Sequence, residues 1–374
     1  MPQSTASELS AILGVDASYF RPTKQVRSHI MANITPATWY KFRGPELVDA
    51  DREFVFLIRR LGNFVNELET VTGNRAAGWR ELFDAIQNEM DRQAPPRQQG
   101  RQAARIFRES RGLNRGANGI GEVFRGNLRS MGVLVIETPV PESRVEGCTF
   151  YVGAHPSDRP CVFANTHHLT WFRRNVVLTH ELAHAIFDAP SAGASIDLQD
   201  GTSARDLSEE RADAFAQEVL VPKEVLRHIA QGCGIKWDRI RAQDLARLVA
   251  ETHVEKRAVL EAALESEFIS HSDFESYCAM NITDELKSIS ERALTTSEFI
   301  QKIGTDALRR ICIGKRNTTT TDRSIRLPVP YIGAVVNAYA SGEISRGKAA
   351  ELLMIDEETF TDRFEEACAV VQDD

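Results

Sequence analysis

Two stretches decide the reading: VVLTHELAHAIFD (residues 176–188) and SEERADAFAQEVLVP (208–222). In the first, His180-Glu181-Leu182-Ala183-His184 has the form H-E-x-x-H. On a helix, residues i and i+4 share a face, so both imidazoles reach one metal ion. Glu181, beside the first histidine, is placed to take a proton from a water activated by that metal and to pass it to a leaving amine. The apolar flanks, Val176 to Leu178 and Ala185 to Phe187, predict a helix buried on both sides. Two histidines four apart also occur on plain surface helices, so the pentapeptide needs support from elsewhere in the chain.

That support is the second stretch. A catalytic zinc site takes three protein ligands and keeps one position open. Glu209 and Asp213 are four apart and share a helix face. With Glu209 as the third ligand, Asp213 is positioned to accept the spare ring N–H of a ligand histidine, which fixes the tautomer and raises ligand basicity. Glu210 competes for the ligand role but points to another face of the helix. Acids in a first helical turn also suit the dipole without any metal.

Working outward, the helix over 175–187 is preceded by three short β-branched and aromatic runs: GVLVIETPV (132–140), GCTFYVGA (147–154) and CVFAN (161–165). They predict the strands of a small sheet. A polar loop is expected over 190–207 and a second helix over 208–221, stopped by Pro222. Residues 1–92 and everything from Ile235 onward read as helical. The break RQAPPRQQG (92–100) suggests a domain boundary. The expected organisation is α+β: a helical region over 1–92, a central domain with a small sheet over 101–235, and a helical region over 236–374.

Composition bounds the partners. The chain is 42% hydrophobic, enough for real cores, and its net charge of −8 leaves nucleic-acid contact to local basic patches. The six cysteines include no C-x-x-C pair, which excludes a zinc ribbon and suggests a reducing compartment. With no basic-then-apolar leader and no apolar run of membrane-spanning length, a cytoplasmic protein with no membrane partner is expected.

The pair of stretches resembles the ImmA/IrrE family of metallopeptidases, with its A-H-E-L-G-H-type helix followed by E-x-x-A-N-x-F-A-x-x-L-L-M-P. The resemblance covers roughly 101–225 in order. It implies a zincin-like metallopeptidase core, Zn2+ as cofactor, His180, His184 and Glu209 as metal ligands, and Glu181 as the catalytic residue. It also implies zinc endopeptidase activity on a narrow protein substrate, a DNA-binding repressor, in a stress or phage-related response. Ala183 stands in place of the usual Gly and Thr179 in place of Ala, both small. Asp213 replaces the common Asn.

The flanks resemble parts of the regulators fused to such peptidases. SELSAILGVDASYFRP (7–22) is similar to the tail of an Xre-type helix-turn-helix domain, without the helix that would enter the major groove. ISRGKAAELLMIDEETF (344–360) has helix-turn-helix spacing, and residues 244–273 read like a small winged-helix unit. The alternative reading is therefore a transcriptional regulator or antitoxin-like binding protein that uses the zincin fold as a sensor or scaffold. Direct DNA binding would draw on the arginine run over 92–115 or on RRICIGKR (309–316). Four further residues are candidates near the metal. His167 and His168 are placed to stabilise an oxyanion, and Tyr151 and Asn165 to align a peptide substrate along a strand. Cys148 and Cys161 offer a thiolate cap for the metal or, more plainly, small core residues.

Overall fold

The computed structural model describes residues 41–42, 49–73, 78–113, 121, 123–140, 143–152, 159–167, 169–188, 194–198, 207–290, 327, 329–361 and 364. The helix-turn-helix-like segment 7–22 and the basic segment 309–316 lie outside them, as does His168. The unit Phe42–Asp374 holds all the features that follow, Lys41 of the first strand excepted.

The described strands form one sheet. Its strands are β1 (Lys41–Phe42), β2 (Leu134–Thr138), β3 (Val145–Tyr151), β4 (Pro160–Asn165) and β5 (Ala194–Leu198), in the order β1-β5-β3-β4-β2. β2 runs parallel to β4 with Ile136 opposite Phe163, while β3 is antiparallel to both β4 and β5. The three runs expected as strands are β3, β4 and β2, which lie side by side, with β2 at one edge of the sheet. β5 falls within the stretch expected to be polar loop. Its five residues (ASIDL) carry a signal too short to stand alone, and pairing with β3 supplies the missing partner, with Thr149 opposite Ser195.

Helices cover the sheet and each other. α1 (Asp49–Val71) lies over the face that carries Phe150 and Val152, since a Cβ on Gly62 would meet both side chains. α2 (Trp79–Glu89), α3 (Pro96–Ser110) and α4 (Phe124–Ser130) precede β2. α5 (Trp171–Phe187) lies on the opposite face of the sheet, and α6 (Leu207–Leu220) packs on α3 and α5. α5 starts where Thr170 accepts the backbone N–H of Arg173, and most of its length is buried, as its apolar flanks require. Then follow α7 (Lys223–Gly232), α8 (Ala242–Thr252), α9 (Lys256–Glu265), α10 (His271–Ala279) and α11 (Thr283–Ile289). The last helices are α12 (Val329–Ala340), α13 (Arg346–Leu352) and α14 (Glu357–Phe360).

One hydrophobic core runs from Trp79 in α2 to Ile282 beside α11, through Phe107, Phe124, Phe172 and Phe215. It crosses both 92–100 and 235 without a break. The Pro-rich stretch is the start of α3, with Pro96 in the first turn, where a missing N–H costs nothing. Residues 244–273 form α8, α9 and the start of α10, and they share this core; no strand is found there among the described residues. The helix, turn and helix expected over 344–360 are α13 and α14, capped by Ser345 and Asp356. No helix among the described residues is long and apolar enough to cross a membrane.

Two glycines set how closely the site-bearing helices are approached. A Cβ on Gly100 would lie 2.2 Å from the carbonyl oxygen of Arg211 and 3.0 Å from the nitrogen of Phe215, so only glycine lets α3 come this close to α6. A Cβ on Gly147 would lie 2.5 Å from Glu181 Oε1, so β3 meets α5 backbone-close beside the candidate catalytic carboxylate.

Candidate metal centre

α5 and β3 run in step. Gly147 faces Val177 and Glu181, Thr149 bonds to Glu181, and Tyr151 reaches Ala185. Two strand residues advance about 6.8 Å and four helix residues about 6 Å, so alternate positions of β3 meet successive turns of α5. One line of the helix, at 177, 181 and 185, is thereby fixed against the sheet. The histidines at 180 and 184 turn the other way, towards α6.

There His180 Nε2 and His184 Nε2 approach to 3.0 Å. The carboxylate of Glu209 closes the triangle, with Oε2 at 3.2 Å from His180 Nε2 and Oε1 at 3.1 Å from His184 Nε2. Of the two adjacent acids on α6, Glu209 is the one that meets both rings; these three residues form a group able to hold a metal ion. Each ring's other nitrogen faces an acid. His180 Nδ1 is 3.1 Å from Asp213 Oδ1, and His184 Nδ1 is 2.8 Å from Asp188 Oδ2.

These contacts test whether a metal fits. A ring nitrogen that donates to a carboxylate carries the proton, which leaves the opposite nitrogen a bare lone pair. With both Nδ1 atoms donating, two imidazole lone pairs and a carboxylate converge on one point. Three acceptors at about 3 Å repel unless a cation lies between them. For a tetrahedral zinc with Zn–N of about 2.0–2.1 Å, ligand atoms lie roughly 3.3 Å apart, close to the spacings found here. The donor set of two histidines and a glutamate is one used by catalytic zinc sites.

Glu181 is fully buried. Its Oε2 accepts a 2.8 Å hydrogen bond from Thr149 Oγ1, whose hydroxyl is also 2.7 Å from the Glu181 carbonyl. The hydroxyl has one proton, so the two acceptors share it. The carboxylate is thus held between the Thr149 hydroxyl and the bare backbone of Gly147.

Three of the four peripheral candidates, Tyr151, Asn165 and His167, fall among the described residues and make contacts within the fold. The buried Tyr151 hydroxyl donates to Ala185 O at 2.8 Å, and burial pushes its pKa up, which keeps it a neutral donor. Asn165 clamps the turn after β2: its Oδ1 accepts from Val140 N and its Nδ2 donates to Val140 O, both at 3.0 Å. The same Oδ1 accepts the backbone N–H of His167. Cys148 lies between Gly147 and Thr149 in register, so strand alternation turns it to the face away from α5. Cys161 is buried and its thiol is pushed up by desolvation, the opposite of what a thiolate ligand needs.

The arginine run meets the protein's own acids. Arg97 and Arg101 both bond Glu265, Arg105 pairs with Glu218 at 3.0 Å, and Arg108 is buried, donating to Val219 O at 2.6 Å. Arg97, Arg101 and Arg105 are thus shared with acids of the fold, and Arg108 is withdrawn from the surface. Asp188 and Arg211 were not anticipated from the sequence. His180, His184 and Asp188 follow an i, i+4, i+8 series, the one local signal that could have pointed to Asp188.

No curated protein matches the chain. Residues 128–261 match the family model described as IrrE N-terminal-like domain, of the peptidase M78 family, and this segment contains both histidines, Glu181, Asp188, Glu209, Arg211 and Asp213. Over residues 128–261 the chain therefore carries a domain similar to the IrrE N-terminal-like domain of the peptidase M78 (ImmA/IrrE) family.

Proposed function

We propose that this chain is a zinc-dependent endopeptidase that cuts one protein partner, a DNA-binding repressor of the helix-turn-helix kind, in a stress or phage-related response. The observation that carries the reading is the convergence of His180 Nε2, His184 Nε2 and Glu209 on one point, with both Nδ1 atoms turned to carboxylates. His180, His184 and Glu209 would hold the metal. Bound zinc supplies Lewis acidity towards a peptide carbonyl and lowers the pKa of water. Glu181 takes the proton of the attacking water on its carboxylate and returns it to the leaving amine. Asp213 and Asp188 keep the two rings in the tautomer that presents Nε2. The net charge of −8 favours encounter with a basic, DNA-binding partner.

The test is co-expression with helix-turn-helix regulators encoded nearby. Wild-type chain is expected to yield one discrete shorter fragment of its partner. Glu181→Gln is expected to retain zinc and partner binding but to give no fragment. Equal cleavage by both would remove Glu181 from the proton transfer. If no regulator is cut and the chain itself binds an operator tightly, the regulator reading replaces this one.

A further inference from the structure

The two carboxylates behind the histidines are not equivalent. Asp213 lies on exposed α6 surface, with 64% of its side chain accessible, whereas the Asp188 side chain is 5% accessible. Asp188 is also in an unfavourable place. It caps the C-terminus of α5, its N–H bonding to His184 O at 2.9 Å, where the helix dipole disfavours negative charge. Burial adds a desolvation cost. Such a group persists where a partner offsets both penalties, and here the partner is Arg211. One of its terminal nitrogens lies 2.9 Å from Asp188 Oδ1, leaving Oδ2 for His184. The guanidinium is itself fixed, lying over the Phe187 ring at 4.4 Å and donating to Gln99 Oε1 at 3.2 Å. Arg211 is two residues from Glu209 on the same helix.

We infer that Asp188 and Arg211 form a positioning pair that holds His184 as the rigid arm of the metal site and locks α6, with Glu209, to α5. His180, held by an exposed acid, is the adjustable arm. The inference rests on the zinc reading above. The chain from Arg211 through Asp188 to His184 spans two helices, so the ligand geometry is set before metal arrives. Loss of either member should act on zinc affinity.

The experiment measures zinc affinity of the full chain by competition with a chromophoric chelator, and the melting of the metal-free chain in parallel. Asp188→Asn is expected to weaken zinc by about ten- to a hundredfold, and Asp213→Asn by less. Arg211→Ala should also weaken zinc. Because it acts through Asp188, the double variant should be no weaker than Asp188→Asn alone, within about twofold. Should Arg211→Ala not fold, Arg211→Lys, which keeps the charge but loses the planar fork, carries the same comparison. Three results would overturn the pair: additive effects of the two substitutions, a larger loss from Asp213→Asn than from Asp188→Asn, or lower metal-free melting with zinc affinity unchanged. A wild-type chain that takes up no zinc overturns the proposed function as well. Zinc uptake indifferent to Asp188 and Arg211 overturns this inference alone.

Discussion

At the scale of single residues, the site is an exercise in proton placement. His180 and His184 each turn Nδ1 to a carboxylate, and the tautomer that donates there presents Nε2 as a lone pair. Glu181 is handled differently: burial raises the cost of its charge, and one shared hydroxyl offsets part of it. A hydrogen bond to a charged group contributes about 1.5–3 kcal/mol. Thr149→Val is therefore expected to lower kcat by about tenfold or more, at roughly 1.4 kcal/mol per decade, while zinc affinity stays within about twofold. Thr149→Ser should restore the rate, since it restores the hydroxyl. Peptidase kinetics alongside chelator competition separates the two effects, and equal loss of zinc in Thr149→Val would show that Thr149 supports the helix and not the carboxylate. Gly147→Ala is expected to be worse than Thr149→Val, because the added carbon would lie 2.5 Å from Glu181 Oε1 and 2.7 Å from Val177 Cγ1 and so displace the carboxylate.

At the scale of elements, three close contacts decide where the ligands sit: β3 against α5, α5 against α6, and α3 against α6. The first is made in step by the matched rises of strand and helix, as Gly147, Thr149 and Tyr151 show. The third depends on Gly100. In an exposed helix, Gly→Ala would gain up to about 1 kcal/mol from propensity. Here the new Cβ would be 2.2 Å from the Arg211 carbonyl, and backbone cannot yield as a flexible side chain does. Overpacking of this kind costs about 1–3 kcal/mol, so strain should win over propensity. Gly100→Ala is expected to lower the melting temperature and to weaken zinc binding in parallel, since α6 carries both Glu209 and Arg211. Thermal melting with and without zinc checks this; unchanged zinc affinity in a destabilised variant would mean that α6 moves as a rigid body with α5.

At the scale of the whole molecule, the segment matching the family model is not a self-contained core. Residues 128–261 are completed by α2 and α3 before them and by α10 after them, all within one hydrophobic cluster. Metal binding at its centre should then be felt by the entire cluster. Zinc at a hundredfold its dissociation constant stabilises the folded state by about 2.7 kcal/mol. For a cooperative unit of this size that is a rise of roughly 5–10 °C in melting temperature, removed by chelation. The His180→Ala, His184→Ala double variant should melt at one temperature whether or not zinc is present. A zinc-dependent shift that survives in that variant would place the metal elsewhere.

The helix bearing His180 and His184, the helix bearing the candidate ligand Glu209, and the strands β2, β3 and β4 were legible because each rests on local pattern. Residues i and i+4 share a helix face wherever the helix lies, and VLVIE, CTFY and CVFAN carry their own strand signal. The α+β class and the matched family followed from those elements. Asp188 and Arg211 were not legible as a pair, because their contact joins the end of one helix to the second turn of another, and nothing in the spacing of residues 188 and 211 specifies it. The same holds for the short strand at 194–198, which exists through its neighbour, and for the Pro-rich stretch at 92–100. Local chemistry marks that stretch as a break, yet burial of Ala103, Ala104 and Phe107 draws the following helix into the common core. Period and residue type determined which groups are candidates to carry the chemistry. Only tertiary packing decided which carboxylate is buried and which exposed, because burial and countercharge depend on elements distant in the chain.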